Sequence, residues 1–105
     1  MERGKKKNYY IHLESGKWQK VKGRKVKIKG FEDLDLFYHK EDGYYCITEG
    51  KTGSLINKSE FLDIAKEQAQ DMLTKAKIKG TLAKAINEAI IEYGLSPRYR
   101  RSKHE

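Results

Sequence analysis
Apolar and polar positions change rhythm along the chain: short alternating runs fill the first half, and helical spacing takes over from residue 61. Residues 8–13, 17–22, 25–29, 34–39 and 44–49 read as strands, each rich in aromatic or β-branched side chains. The run Lys-Val-Lys-Ile-Lys over residues 25–29 alternates strictly. It sets Val26 and Ile28 to one side and Lys25, Lys27 and Lys29 to the other. Glu14-Ser15-Gly16 and Gly23-Arg24 supply turn signals, Gly30 ends the third run, and residues 31–35 form an acidic approach to a central hairpin. A turn over residues 40–43 would place His39 opposite Tyr44 and Asp35 opposite Thr48. Gly50 and Gly53 then let the chain leave the sheet. Asn57 and Glu60 have the spacing of an N-terminal capping box, with Ile56 and Phe61 as its hydrophobic staple, so a helix is expected from residue 57.

Phe61, Ile64, Ala65, Gln68, Ala69, Met72 and Leu73 form one helical face. Lys75, Lys77 and Lys79 suit the helix end and Gly80 is a stop. Thr81 can cap a second helix, whose face is Leu82, Ala85, Ile86, Ala89, Ile90 and Tyr93. Gly94 with Leu95 against Ile90 fits a C-terminal cap, and Pro97 prevents continuation. Strands followed by helices predict an α+β fold: an antiparallel sheet of four or five strands, built on two hairpins, with one or two C-terminal helices packed on one face. The other sheet face is then left to solvent or a ligand. Residues 1–7 read as a basic disordered arm, 8–95 as one domain, and 96–105 as a basic flexible tail. His12, Glu14, Gly16 and Trp18 recur as His39, Glu41, Gly43 and Tyr45 at an offset of 27, two hairpins of one kind.

Charge alters this picture more than composition does. The net charge of +8 over 105 residues is segregated. Residues 1–30 carry 11 basic and 2 acidic side chains, 31–74 carry 4 and 10, and 75–105 carry 8 and 3. Two basic flanks that could meet a polyanion enclose an acidic middle. No apolar run approaches the ~20 residues of a membrane span, and no apolar block follows the basic start as in a secretory signal. A single cysteine, Cys46, precludes an intrachain disulfide and a multi-cysteine zinc cluster, so a reducing cytoplasm is the expected setting. No metal or cofactor is expected.

Alternation across 18–22 puts Trp18, Lys20 and Lys22 on one side, and a tight turn at Gly23-Arg24 would bring Lys25, Lys27 and Lys29 onto the same face. Lysines there would neutralise phosphates and Trp18 would stack on a base, helped by Arg98, Arg100 and Arg101 around Tyr99. The competing reading makes Trp18 a core anchor and the lysines protection against edge pairing. Glu32, Asp33, Asp35, Glu41 and Asp42 are a second candidate surface, an acidic patch imitating DNA phosphates.

Enzyme readings are weaker. Glu49-Gly50-Lys51 has the Glu-x-Lys spacing of metal-dependent nucleases, with Asp35 as the second carboxylate, yet the crossover helix such cores need is missing. Gly50-Lys51-Thr52 lacks the earlier glycine of a phosphate loop, because Tyr45 stands there. His12 and His39 would need a carboxylate or cysteine nearby to act as ligands. Cys46 has no evident His-Asp partners.

His39, Lys40, Gly43, Tyr44, Ile47, Thr48, Glu49, Thr52, Gly53 and Ile56, followed by a helix, resemble small accessory proteins of phages and mobile elements in Gram-positive bacteria. The resemblance covers about 20 residues and implies a non-enzymatic, host-cytoplasmic binding protein, some such proteins being anti-CRISPR inhibitors. The sequence therefore predicts a phage or mobile-element protein that engages nucleic acid, or a nucleic-acid-bound complex, through its basic sheet positions. The alternative is an inhibitor of a host defence nuclease that uses the acidic patch.

Overall fold
The computed structural model describes residues 6–99 in full and Arg100 by its backbone. Five strands, β1 (Lys7–His12), β2 (Trp18–Val26), β3 (Leu36–Glu41), β4 (Tyr44–Glu49) and β5 (Ser54–Ser59), precede α1 (Leu62–Lys79), α2 (Leu82–Tyr93) and a short α3 (Pro97–Arg100). The strands form one antiparallel sheet in the order β1-β2-β3-β4-β5. With the helices packed against it, the molecule is the expected α+β fold. No helix among the described residues is long and apolar enough to cross a membrane.

Three expectations about the sheet need correction. Gly23-Arg24 is not a turn: β2 runs straight through it, pairing first with β1 and then, from Arg24 to Val26, with β3. The β3–β4 connection is a two-residue turn rather than four. Asp42 (φ 54) and Gly43 (φ 84) both take the left-handed backbone that a tight hairpin requires. His39 therefore faces Cys46, and Phe37 faces Thr48. Finally, residues 54–59 are the edge strand β5 and not a helix entry. Asn57 lies within β5, and its amide donates to Gln68 Oε1 of α1 (3.1 Å). Phe61 occupies the N-cap of α1, with no side-chain cap.

Alternation gives β3 and β4 two apolar faces. Leu36 and Ile47 join Val26, Ile28, Phe31, Ala65, Ala69 and Leu73 in the main core beneath α1. Ala65, Ala69 and Leu73 are spaced four apart, so small side chains let the helix sit close on the sheet. Ile64, Met72 and Phe61, placed on the same face by the helical period, are substantially exposed. The second helix buries none of its residues fully. Gly80 stops α1 as expected, in the left-handed conformation, but Thr81 provides no cap for α2 and instead donates to Ala76 O (3.3 Å).

The opposite face is not simply solvated. The β1–β2 hairpin curls over it, and Tyr9 stacks flat on Phe37 with ring centroids 4.1 Å apart. His12 N–H donates to Gly53 O (3.0 Å), so β1 reaches the turn that leads into β5 and the sheet is half-closed as a barrel. Residues 96–99, expected in a flexible tail, are docked. Ser96 is fully buried and its N–H donates to Lys51 O (2.8 Å). The Arg98 guanidinium covers the Tyr9 ring, and the Tyr99 hydroxyl donates to the Asp35 carboxylate. At the other end Lys7 already belongs to β1, and residues 1–5 lie outside the described residues.

Burial pushes the Tyr99 hydroxyl well above its ordinary pKa of 10.0, reinforced by its hydrogen bond to Asp35, and burial likewise raises Tyr9. Both phenols stay neutral in the fold after the unfolded chain has begun to ionise. Their contribution is complete below pH 10.0 and is lost as pH climbs through the raised values. Thermal melting should therefore be insensitive to these groups up to about pH 9 and fall steeply above it. In Tyr99→Phe the alkaline decline should be shallower, read from the slope of melting temperature against pH.

Candidate nucleic-acid interface
The change of partner along β2 opens a groove. Trp18 to Gly23 follow β1, which lifts away from the sheet, whereas β3 continues through His39 to Glu41 paired only with β4. Gly23 marks the last close approach before the strands part: a Cβ there would lie 2.8 Å from Tyr38 O and 2.9 Å from the Phe37 ring. The wedge left between β2 and the end of β3 is a groove of about 680 Å³ with Lys6, Lys22, Arg24 and Lys40 along its walls. Tyr38 and Tyr45 contribute aromatic surface, their rings 5.9 Å apart and edge-on. The Lys40 ammonium lies 5.0 Å from the centre of the Tyr45 ring. A shallower depression of about 230 Å³ adjoins it, lined by Lys25, Lys27 and Lys66 and sharing Arg24 and Tyr38. Glu41 is the one carboxylate lining either depression among the described residues.

This surface only partly coincides with the one expected from the sequence. Lys22, Lys25 and Lys27 line the joined depressions. Trp18 does not: its ring meets His12 edge-on at 4.9 Å, His12 in turn meets Tyr93 of α2 at 4.4 Å, and Trp18 abuts Gly53. It belongs to the seam that closes the sheet. Because β2 is continuous, Lys25 leaves the strand on the opposite side from Lys20 and Lys22, so the six expected positions do not share a face. Lys20 and Lys29 are exposed outside the groove, and the Lys29 carbonyl accepts from Gln70 (3.1 Å). Arg98 is committed to Tyr9 and to Asn8 O (3.3 Å). The Arg100 side chain and Arg101 lie outside the described residues. Sequence reasoning misses Arg24, Lys40 and Lys66 and has Lys6 only as part of the basic arm. Arg24 and Lys40 sit in stretches that carry turn signals, and carrying the two-residue period through Gly23 would set Arg24 beside Lys22.

The five acidic candidates do not assemble either. Glu32 accepts the Gly30 N–H, and Asp33 lies exposed beside the α1–α2 junction. Asp35 holds Lys25 (3.4 Å) and Tyr99. Glu41 and Asp42 stand about 20 Å away at the far end of β3. Nor does Glu49 belong to a nuclease centre. Its buried carboxylate accepts from Lys51 N (3.2 Å), Thr52 N (2.8 Å) and Thr52 Oγ1 (2.8 Å), closing the turn before β5. Glu49→Ala would strand those donors and should cost about 2–3 kcal/mol, measurable by chemical denaturation, with Glu49→Gln milder.

No family model, curated protein or solved structure matches the chain.

Proposed function
We propose that this protein binds single-stranded nucleic acid in the groove between β2 and β3, acting as a binding module rather than as an enzyme. The observation that carries the reading is the charge of the joined depressions. Lys6, Lys22, Arg24, Lys27, Lys40 and Lys66 line them with Glu41 as the one lining carboxylate among the described residues, while Lys25 at their edge is paired with Asp35. A track of cations attracts a phosphate backbone whatever its sequence, and Tyr45 beside it offers a face on which a base can stack. The recess favours a single strand, since the β2–β3 wedge presents no helix to a major groove. An accessory protein of a phage or mobile element that holds nucleic acid, or a nucleoprotein complex of its host, would need such a track and no reaction centre.

The test is fluorescence anisotropy with a labelled oligonucleotide across a salt series. Neutralising about four phosphates should give a plot of log affinity against log salt with a slope near −3. Tyr45→Ala should weaken binding by about 1–3 kcal/mol at every salt concentration. Absence of binding at low salt, or affinity indifferent to salt, contradicts the proposal.

A further inference from the structure
His39 and Glu41, which border the phosphate groove, also line a second cleft together with Cys46. His39 and Cys46 stand directly across the β3–β4 ladder, and Glu41 follows His39 by two residues on the same face. One imidazole nitrogen, the thiol sulfur and one carboxylate oxygen all lie within 4.8 Å of one another. The three side chains line a cleft of about 320 Å³ between β1 and the face of β3, β4 and β5. His39 is 8% exposed. Its Nε2 meets Glu41 Oε1 at 3.1 Å, while Nδ1 is buried with no hydrogen-bond partner among the described residues.

We propose that His39, Glu41 and Cys46 form a binding site for a borderline-soft divalent metal ion of the Zn²⁺ type. Nitrogen, sulfur and oxygen donors together suit Zn²⁺ or Co²⁺, whereas Mg²⁺ and Ca²⁺ call for oxygen shells. Thiolate and carboxylate together balance a divalent charge. Ligand bonds of about 2.0–2.3 Å require donors roughly 3.5 Å apart. The His39–Glu41 pair already meets that spacing, and the Glu41 side chain, 55% exposed, has room to swing inward. Three protein ligands leave a fourth position open to the cleft, the arrangement of sites that hold a water or a substrate donor. His39 and Glu41 also border the β2–β3 groove, but the donor set stands whether or not nucleic acid binds there.

The test is titration of the metal-free 105-residue chain with Co²⁺, followed by absorbance. The expected result is saturation at one Co²⁺ per chain with a sulfur-to-cobalt charge-transfer band in the near ultraviolet, displaced by Zn²⁺. The band should vanish in Cys46→Ser. In Glu41→Gln, a change at an exposed side chain that leaves the circular dichroism unaltered, the midpoint should shift at least about tenfold to weaker binding. Co²⁺ binding without the sulfur band, no binding, or an unchanged midpoint in Glu41→Gln overturns the proposal.

Discussion

Charge reversal at Lys22, Arg24 and Lys40 together, each to Glu, is expected to weaken oligonucleotide binding at least about 100-fold at ~0.1 M salt. Each lost cation–phosphate contact is worth about 1 kcal/mol at a solvated surface, and three correspond to roughly two decades in affinity. The salt slope should flatten by about 2, because three phosphates would no longer release counterions. These side chains come from two strands but face one groove. The effect should therefore exceed that of reversing Lys20 and Lys29, which lie outside it and carry the same kind of charge. Equal losses per residue from the two sets would mean that net charge alone governs binding. Lys22 and Lys40 are exposed whereas Arg24 is half-buried, so Lys22→Glu and Lys40→Glu alone should change melting temperature little.

The largest stability effect is expected at Gly53. Its φ of +67° is costly for any residue with a Cβ, and that Cβ would meet Trp18 Cζ3 at 2.5 Å and His12 N at 2.8 Å. The His12 nitrogen belongs to backbone and donates to Gly53 O, so it cannot step aside without breaking the β1–β5 closure. Left-handed strain of about 1 kcal/mol, a steric term of about 1–3 and a lost hydrogen bond of about 1 combine to roughly 3–5 kcal/mol. For a chain of this size that lowers melting by about 15 °C or more. Gly16 isolates the conformational part. It also has positive φ (+91°), but a Cβ there would meet nothing within 4 Å, so Gly16→Ala should cost only about 1 kcal/mol. Equal losses at the two positions would remove Gly53 from the closure.

Which parts of this architecture are legible in the sequence follows from what each signal measures. Periodicity locates β1 and both long helices, which pair an apolar face with a polar one, while β3 and β4, apolar on both faces, are located by aromatic and β-branched runs bounded by turn residues. It fails where a local signal imitates another structure. Gly23 has the look of a turn, although it serves close approach between β2 and β3. Asn57 and Glu60 have capping spacing, but the Glu49–Thr52 turn sends the chain back into the sheet and makes Asn57 part of β5. The four-residue turn displaces the hairpin register by two residues. That error keeps every side chain on its proper face while hiding the fact that Cys46 faces His39. Basic density is evident from composition. Which lysines share a groove is not, because that depends on how far the β1–β2 hairpin curls from β3.

Chemical-shift mapping tests the central claim most directly: backbone amide resonances of the labelled chain followed while a short single-stranded oligonucleotide is added at low salt. The account predicts that the shifts concentrate at Lys22, Arg24, Lys25, Tyr38, Lys40 and Tyr45, leaving Glu32, Asp33 and the exposed side of α2 unmoved. Shifts confined to the first half of β2 around Trp18 and Lys20, or scattered over every basic residue alike, would contradict it.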